Sequence, residues 1–393
     1  MAKASSPEPA ELPATLALLA RLVGHPTISD CSNRALIDDV AAWLAEHGVT
    51  SAVVEALEPG KAGLIASIGP QVPGGIVLSG HTDVVPVAGQ RWSADPFTLV
   101  ERDGRLHGRG SADMKGFIAA ALASVPRFLA APLRRPVHFA LSWDEEVGCR
   151  GAPRLIEALV ARVPRPAMVI VGEPTGMRPV DRHRGIATFT TTIDGRGGHA
   201  SAPRRGVSAI ALAARYICEL ERVVGERFAG PASSPEDVAA QTTVNVGRIA
   251  GGAATNMIAD SCRLDWECRT GVDSKVDDLL AHLDTFAAEQ LVAPVAERAP
   301  EVAVTSQRQL QVPPFAAGPA SPAVALALQV TGANGCDAAP FATEAGLFER
   351  AGIPAVVVGP GWPSEAHRPD EYVSREQLTL CLHMLRRIAE WAA

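Results

Sequence analysis

Short apolar runs that have the pattern of buried β-strands recur along this chain, and segments with helical periodicity lie between them. Four of these runs cover residues 75–79, 137–143, 168–171 and 355–358. Near-continuous apolar strands are typical of a largely parallel sheet whose two faces are covered by helices. Apolar residues recur at helical spacing in 34–47, 116–129, 153–162 and 375–392, which predicts those helices. The pattern therefore predicts an α/β fold with a mixed, largely parallel sheet flanked by helices.

The middle of the chain has a different order of elements. Helical patterns cover 207–224 and 275–291, and the extended runs around them are 186–193, 242–249, 261–268 and 301–312. Strands and helices grouped in this way are typical of a small α+β unit. We place its edges near residues 183 and 310. The expected organisation is one domain built from 1–182 and 311–393, with a second domain, 183–310, inserted into it.

Length, charge and cysteine usage limit the class of protein. The chain has 393 residues, more than one ordinary core of about 100 to 200 residues needs, so two domains are expected. A net charge of −7 without a basic stripe predicts no nucleic-acid partner. The sequence has no run of 18 apolar residues, so we expect no membrane span. Seven scattered cysteines without a C-x-x-C pair, and an N-terminal segment unlike a signal peptide, predict a reduced, cytoplasmic protein.

Histidine and carboxylate residues follow the carboxyl ends of several predicted strands, where open α/β sheets place their ligands. His81 and Asp83 lie two residues apart after the first apolar run, so both can project to one side of an extended chain. One of them would bind metal and the other would hold the second imidazole nitrogen. Glu145 and Glu146 are adjacent and must point in different directions. One of these two can bind metal while the other faces a bound water.

Three further candidates complete a possible metal site. Glu173 follows the 168–171 run, and His367 lies in a loop rich in glycine and proline. Asp113 lies in a glycine-rich turn just before the helix expected from Gly116, where its two oxygens can bridge two cations. Two histidines, two glutamates and one aspartate form a mixed nitrogen and oxygen set. Such a set suits a pair of zinc or similar divalent ions.

Each of these residues alone has an ordinary explanation. A lone histidine usually packs in the core or at the surface, and a lone acid at a strand end is often a helix cap. The functional explanation is stronger here because apolar strands bring several such side chains to one sheet edge, where unpaired charges are costly. The characteristic motifs of serine hydrolases, single-zinc proteases and nucleotide-binding enzymes are absent from the sequence. We assign the ordinary explanation to His25, His47, His107, His138, His282 and His383.

Together the motifs resemble a known enzyme family, the two-zinc metallopeptidases and aminoacylases. This family includes acetylornithine deacetylases, succinyl-diaminopimelate desuccinylase and carboxypeptidase G. The resemblance covers nearly the whole chain, and the matching segments occur in the family's order. These segments are SGHTDVVPV, GRGSADMKG, DEEVGCRGA, GEPTGM, GRGGHAS, TEAGLF and GPGWPSEAHRPDEY.

The resemblance implies a role for each candidate residue. Asp83 would orient His81, and Glu145 would be the general base. The cofactor would be two divalent metal ions, zinc or alternatively cobalt. The implied metal ligands are His81 with Glu173 at one site, Glu146 with His367 at the other, and Asp113 bridging the two.

The inserted domain is expected to be the family's lid, which also forms the homodimer. His199, in GRGGHAS, would then reach into the site of the partner subunit. Asn256, in GGAATNMIAD, and Arg269, in LDWECRT, would bind the substrate carboxylate. Outside the resemblance, these two residues would be an ordinary turn asparagine and an exposed arginine.

The segment TEAGLF resembles the acetylornithine deacetylases, whereas desuccinylases carry a Ser-Asp-Gly type of segment there. This implies hydrolysis of N2-acetyl-L-ornithine to L-ornithine and acetate, in arginine biosynthesis. Thr343 and Glu344 would contact the substrate; Glu344 would meet a cationic side chain or form a salt bridge within its loop. The alternatives are a desuccinylase, an aminoacylase or a dipeptidase of the same architecture. An alternative of another class is a catalytically inactive protein that only binds an acyl amino acid.

Overall fold

The computed structural model of this chain describes residues 8–228 and 237–393. The first seven residues, part of the N-terminal segment compared above with a signal peptide, lie outside the described range. The helices of the described residues are α1 Leu12–Val23, α2 Arg34–Glu46, α3 Gly116–Ala123, α4 Val125–Ala130, α5 Ala152–Arg162, α6 Ala209–Val223, α7 Val276–Phe286, α8 Pro322–Thr331, α9 Ala345–Arg350 and α10 Arg375–Ala392.

The strands of the described residues are β1 Ser51–Glu55, β2 Ala62–Ile68, β3 Ile76–His81, β4 Val100–Arg102, β5 Arg105–His107, β6 Val137–Ser142, β7 Met168–Val171, β8 Val180–His183, β9 Gly185–Asp194, β10 Gly198–His199, β11 Thr243–Gly251, β12 Met257–Ile258, β13 Ser261–Thr270, β14 Ala303–Val312, β15 Phe315–Ala316, β16 Asp337–Ala339, β17 Ala355–Val357 and β18 Tyr372–Ser374.

The chain divides into two compact units. The large unit contains Met1–Asp181, Ala316–Asp337 and Thr343–Ala393. The inserted unit contains Arg182–Phe315 and Ala338–Ala342. The domain boundaries near residues 183 and 310 stay a prediction.

The large unit is built on a mixed sheet in which seven strands follow the order β1-β2-β6-β3-β7-β17-β8. Its centre is parallel: β3 pairs with β6 and β7, and β7 pairs with β17. Antiparallel partners extend it on both sides, β2 next to β6 and β8 next to β17. Every residue of β3, β6 and β7 is buried, as near-continuous apolar strands require. The predicted α/β class with a mixed sheet is therefore confirmed.

Helices cover both faces of this sheet. Side chains of α1, α2, α3 and α10 form one buried cluster with alternate residues of the central strands, among them Leu64, Leu78 and Phe139. Helices α5 and α9 contact the sheet as well, α5 along β6 and α9 along β7. Leu155 of α5 lies against the backbone at Gly63, the neighbour of Leu64 on the opposite face of β2. The sheet is thus buried between two helical layers.

One predicted helix is divided in two. The sequence pattern predicts a single helix over 116–129, whereas α3 ends at Ala123 and α4 begins at Val125. The side-chain hydroxyl of Ser124 donates to the carbonyl of Ala120 at 2.9 Å. Pro126 follows, and because proline has no N–H it fits the first turn of the second helix.

A small three-stranded sheet, β18-β5-β4, joins the segment before Asp113 to the segment after His367. Tyr372 pairs with His107, and the main-chain N–H of Gly108 donates to the carbonyl of Glu371 at 2.9 Å. The segment that carries Asp113 therefore starts beside the end of the segment that carries His367.

The inserted unit has a four-stranded antiparallel sheet in the order β11-β13-β9-β14. Helices α6 and α7 pack on one face, where Tyr216, Leu264, Trp266 and Leu283 are buried. Residues on the other face, such as Thr188, remain more exposed. This arrangement is the small α+β insertion that the sequence predicts. No helix among the residues described in the two units is long and apolar enough to cross a membrane.

Candidate metal centre

Four neighbouring strands of the large unit end close to the candidate ligands. His81 is the last residue of β3, and Glu173 lies two residues after β7. Glu145 and Glu146 follow β6, and His367 lies in the loop after β17. Because these strands are parallel and adjacent, their carboxyl ends meet at one edge of the sheet. The topology therefore brings together side chains that are far apart in the sequence.

Asp113 lies between the two histidines of this cluster. Its Oδ1 is 2.9 Å from His81 Nε2, and its Oδ2 is 3.1 Å from His367 Nε2. On the first side, His81 Nε2 also lies 3.7 Å from Glu173 Oε1. On the second side, His367 Nε2 lies 3.0 Å from Glu146 Oε2. The five residues thus form two half-sites that share the carboxylate of Asp113.

Local backbone geometry holds these side chains in place. Asp113 lies in the turn Ser111–Lys115 that precedes α3. His367 adopts a φ of 61°, a left-handed conformation that a non-glycine residue rarely takes. Gly172 precedes Glu173, and a Cβ atom there would lie only 2.1 Å from the Phe117 ring. Only glycine therefore lets the end of β7 approach α3 this closely.

Asp83 supports the cluster in two ways. Its main-chain carbonyl lies 3.0 Å from His81 Nδ1, whereas its carboxylate is 3.6 Å from that nitrogen. The carboxylate accepts hydrogen bonds from the main-chain N–H groups of Glu145, at 3.0 Å, and Glu146, at 3.2 Å. It also accepts one from the Ser29 hydroxyl at 2.8 Å. The carbonyl of Asp83 is therefore the nearer partner of the imidazole, and its carboxylate mainly holds the turn after β6.

Glu145 lies within ligand distance of the cluster. One potential ligand atom each from His81, Glu145 and Glu173 lie within 4.8 Å of one another. The same holds for His81, Asp113 and Glu146. The Cys149 thiol donates to Glu145 Oε1 at 3.4 Å. Glu145 is therefore close enough to act on a molecule bound between the half-sites.

The buried carboxylates repel one another and attract the two imidazoles. Burial raises the pKa of Glu173 well above its usual value, and burial together with Asp113 raises that of Glu146 to about 7. Burial lowers the pKa of His81, but Glu173 and Asp113 outweigh this effect and hold it well above the usual value. Hydrogen bonds to Asp113 and Glu146 raise the pKa of His367 to about 11. These raised pKa values mean that the centre favours bound protons, whose positive charge metal cations would supply instead.

One buried atom supports metal binding independently of charge. Glu173 Oε1 is inaccessible to solvent and has no hydrogen-bond partner among the described residues. A buried carboxylate oxygen without a donor is costly, unless it serves a group not made of protein. Two imidazole nitrogens surrounded by carboxylate oxygens are the ligands that zinc and similar divalent ions take. The residues present therefore fit a pair of metal ions.

Comparison with known proteins identifies the family. The model of Peptidase family M20/M25/M40 matches residues 77–391. The chain belongs to this peptidase family. Acetylornithine deacetylase of Shigella sonnei is 34% identical over 375 residues, covering 92% of this chain and 94% of that protein. The acetylornithine deacetylase of Klebsiella pneumoniae is also 34% identical, over 372 residues, with 92% and 93% covered. The M20 chain is accordingly a metal-dependent hydrolase that acts on amide bonds.

Solved structures show the same fold. A tripeptidase of Staphylococcus aureus superposes with a TM-score of 0.73 at 21% identity, covering 96% of this chain and 99% of that one. A Bacillus subtilis protein described as a dinuclear metal-binding peptidase of the M20 family has a TM-score of 0.69 at 18% identity, with 97% and 98% covered. The M20 fold thus extends over both units of the chain.

Thr343 and Glu344 lie inside the large unit of this M20 chain. Thr343 is fully buried and its hydroxyl accepts the N–H of Ala345 at 3.1 Å. Glu344 is 1% exposed, and its Oε2 lies 3.2 Å from the Ser79 hydroxyl of β3. Its Oε1 is buried without a partner among the described residues. Neither side chain is open to solvent, and Glu344 contacts the sheet at Ser79.

The candidate substrate residues of the inserted unit lie in two places. His199 is exposed, and its Nδ1 is 2.7 Å from the Ser201 hydroxyl. The N–H of Ala200 donates to the carbonyl of Asn256 at 2.9 Å, so Asn256 lies next to His199. Arg269 is near the far end of β13, where its guanidinium bonds Glu267 at 3.1 Å. The structure therefore brings His199 and Asn256 together and separates both from Arg269.

Sequence reasoning missed several residues around the centre. Ser29 contacts Asp83 and Cys149 contacts Glu145, but neither is a histidine or a carboxylate, the residue types on which the predicted site depends. Arg109 and Glu371 lie within matched motifs and were assigned no role. A motif shows that residues recur together, whereas the contacts that two loops make become visible only in the fold.

Proposed function

We propose that this chain is a two-metal amidohydrolase that converts N2-acetyl-L-ornithine and water to L-ornithine and acetate. The observation that carries the proposal is the position of Asp113 between two imidazoles, 2.9 Å from His81 and 3.1 Å from His367, with Glu145 in the same cluster. The choice of substrate rests on the acetylornithine deacetylases that are 34% identical over most of the chain.

The proposed metal ligands follow the two half-sites. His81 and Glu173 would hold one ion, Glu146 and His367 the other, and Asp113 would bridge them. We propose zinc, with cobalt as the alternative, because the ligand set mixes imidazole nitrogens and carboxylate oxygens. When bound, the two ions supply a Lewis acid for the amide oxygen and lower the pKa of water toward about 7.

Glu145 is proposed as the general base. Its carboxylate would take a proton from water while the water oxygen forms a bond to the acyl carbon. The same carboxylate would then give this proton to the amine nitrogen as the carbon–nitrogen bond breaks. The turn that carries Glu145 is held by the Asp83 carboxylate, and Cys149 contacts its Oε1. A base held in this way keeps its position through both proton transfers.

The inserted unit would close over the substrate as a lid and pair with a second copy of the chain. His199 would donate to the oxyanion that develops on the acyl oxygen, and Arg269 would bind the substrate carboxylate. His199 pairs with Met257, which lies shortly before β13, whereas Arg269 is eight residues beyond Ser261, the first residue of that strand. At about 3.3 Å per residue, the strand separates His199 from Arg269 by more than the length of one substrate molecule. This separation supports the proposal that His199, with its neighbour Asn256, comes from the partner subunit to a site that uses Arg269.

The sheet edge of the inserted unit supports the proposed homodimer. Strand β11 is one of the two outer strands of this sheet, and most of its residues are exposed. Ile249 on this strand is 53% exposed. An outer strand with free main-chain groups can pair with the same strand of a second copy. The homodimer stays a proposal that subunit mixing can test.

Thr343 and Glu344 are proposed to shape the substrate pocket from within its wall. Both side chains are buried, so the backbone around them would face the acyl amino acid. The Glu344 carboxylate does not reach the surface. The contact between Glu344 and Ser79 ties this wall to β3, the strand that ends at His81. Contact between the substrate and these two residues stays a prediction.

The discriminating experiment is a substrate panel with added zinc or cobalt. N2-acetyl-L-ornithine, an N-succinyl amino acid, a second N-acetyl amino acid and a dipeptide are incubated with the purified protein. Acetate, succinate and free amino acid are then measured.

The proposal predicts the highest kcat/KM for acetylornithine. Preferred release of succinate or cleavage of the dipeptide would replace it with one of the related hydrolases. Binding without any turnover would favour the inactive acyl-amino-acid binding protein. We also propose a cytoplasmic location, from the seven scattered cysteines, and a place in arginine biosynthesis, from the resemblance to acetylornithine deacetylases.

A further inference from the structure

A buried ion pair lies directly behind the bridging residue. Arg109 Nη1 donates to Glu371 Oε2 at 2.5 Å, and both residues are 1% exposed. The other oxygen of Glu371 accepts the main-chain N–H groups of Ala112, at 3.0 Å, and Asp113, at 3.1 Å. The carboxylate of Glu371 therefore holds the backbone that carries the bridging carboxylate.

The same pair reaches the second loop of the centre. Arg109 Nη2 donates to Gln90 Oε1 at 2.7 Å, and Gln90 Nε2 donates to the main-chain carbonyl of His367 at 3.3 Å. The ring of Trp92 lies 5.0 Å from the guanidinium and its Nε1 donates to the same Gln90 oxygen at 3.1 Å. One guanidinium thus connects the loop of Asp113 with the loop of His367.

These two loops need such support because neither ligand lies in regular structure. Asp113 has non-helical backbone angles within its turn, and His367 has a φ of 61°. A left-handed conformation at a non-glycine residue persists only when its surroundings hold it. A buried ion pair is weak as a source of stability, because the cost of removing both charges from water offsets much of their attraction. The geometry that the pair fixes is a better reason for its presence.

We propose that Arg109 and Glu371 are positioning residues that set the spacing of the two metal half-sites, with Gln90 as their link to His367. This inference rests on the proposed two-metal function. Glu371 holds the backbone of the shared ligand, so its loss affects both ions. Among the proposed metal ligands, Gln90 bonds only His367, through its main-chain carbonyl, so its loss mainly affects the ion held by His367 and Glu146.

The test measures metal binding and stability separately. Wild type, Glu371→Gln, Arg109→Lys and Gln90→Met are stripped of metal, and their thermal unfolding is compared. Zinc stoichiometry and affinity are then measured by competition with a chromophoric chelator. Groups that orient metal ligands typically contribute 10- to 100-fold in affinity. We expect a loss of that size for both ions in Glu371→Gln, and a smaller loss in Arg109→Lys, which keeps the charge but not the two-armed geometry.

Gln90→Met separates positioning from a general loss of stability, because Gln90 is only half-buried and its removal leaves the ion pair in place. We expect it to weaken one of the two ions and to leave the other at wild-type affinity. The matched controls are Arg178→Lys and Asp337→Asn, which alter an exposed ion pair of the same unit and should leave both ions unchanged.

The possible outcomes distinguish the inference from the proposed function. If the wild type binds two ions and the variants bind both with wild-type affinity, the positioning role is overturned. The proposed two-metal function then remains intact. The role is also overturned if Glu371→Gln unfolds and Gln90→Met still binds both ions normally. A wild-type protein that binds no zinc or cobalt contradicts both.

Discussion

The carboxylate of Asp83 accepts the main-chain N–H of Glu145 at 3.0 Å. Asp83 also presents its main-chain carbonyl to His81 at 3.0 Å, so one residue fixes a metal ligand and the proposed base relative to each other. The distance between ligand and base thus depends on the short segment from His81 to Asp83 and on the turn after β6.

Asp83→Asn should weaken this arrangement. The amide keeps one oxygen acceptor but loses the second, so one of the two N–H groups of the turn loses its partner. We expect metal affinity to fall about 10- to 100-fold, as for other groups that support metal ligands. Ser29→Ala, which removes a single bond to the same carboxylate, should have a smaller effect. Titration of zinc into both metal-free variants checks the order, and equal losses in the two would contradict it.

Glu145→Gln should reduce kcat by a factor of about 100 to 10,000, the usual contribution of a positioned acid or base. The amide occupies the same volume but cannot take a proton from water. Metal content measured by atomic emission should stay at two ions per chain, because the proposed ligand set does not include Glu145. Loss of one ion would make Glu145 a ligand. The exposed Glu157 of α5 offers the matched control, and Glu157→Gln should leave turnover unchanged.

Because Asp113 lies between both half-sites, its substitution should affect both metal ions, whereas substitution of His367 should affect one. His367→Ala removes a ligand from one half-site and should leave one tightly bound ion per chain. Asp113→Asn removes charge from both half-sites and should weaken both ions. Stoichiometry after gel filtration distinguishes the two cases. Two retained ions in Asp113→Asn would show that this carboxylate does not bridge. His383→Ala, in α10 of the same unit, serves as the histidine control.

Subunit mixing tests the proposed origin of His199. His199→Ala alone should lower kcat about 100- to 1,000-fold, the typical cost of losing one donor to an oxyanion. Mixing this variant with Glu145→Gln places both intact side chains in one site of each mixed dimer. With random exchange, activity should recover to about a quarter of the wild-type value. A chain carrying both substitutions, mixed with Glu145→Gln, is the control and should recover nothing. No recovery in the first mixture would place His199 outside a shared site.

His138 predicts acid sensitivity that is independent of metal. It is buried in β6, and burial lowers its pKa to about 4. The unfolded chain binds a proton at this residue below pH 6.5, whereas the folded chain binds it only near pH 4. The free energy of unfolding therefore falls as the pH drops from 6.5 to 4, by up to about 3 kcal/mol.

His138→Gln should remove this part of the loss. Urea unfolding of metal-free protein at pH 7.5 and pH 4.5 measures it, because without metal the titration of the ligands is the same in both proteins. The variant should lose less stability than the wild type over this range. An identical loss in both proteins would contradict the assignment of the proton to His138.

The α/β core could be predicted from the sequence, and so could the convergence of four of the candidate ligands, because both follow from strand position. Apolar runs identify β3, β6, β7 and β17, and a histidine or a glutamate lies at or after the end of each one. Parallel neighbours then have to meet at one edge. Strands β1 and β2 were not predicted in this way, since β1 is only five residues long and the apolar run of β2 is interrupted by Gly63 and Ser67.

Contacts between loops account for most of what the sequence did not reveal. Asp83 is predicted to orient His81, and the sequence did not reveal that its nearer atom is the main-chain carbonyl, while its carboxylate lies 3.6 Å away. Glu344 is predicted to contact the substrate or to form a salt bridge in its loop, and the sequence did not reveal the contact that it makes with Ser79. Both details depend on which way a short loop turns, and residue identity alone does not determine that direction.

The inserted unit interrupts the chain between Glu173 and His367. During synthesis, four of the five ligands therefore emerge before the insertion, and the fifth emerges only after it. The second half-site cannot close until the chain returns from the insertion and adds β17 to the sheet. Long-range pairing of this kind is slow compared with local folding. An unfinished chain would accordingly expose a cluster of carboxylates with one imidazole, so metal capture is expected to be among the last events of folding.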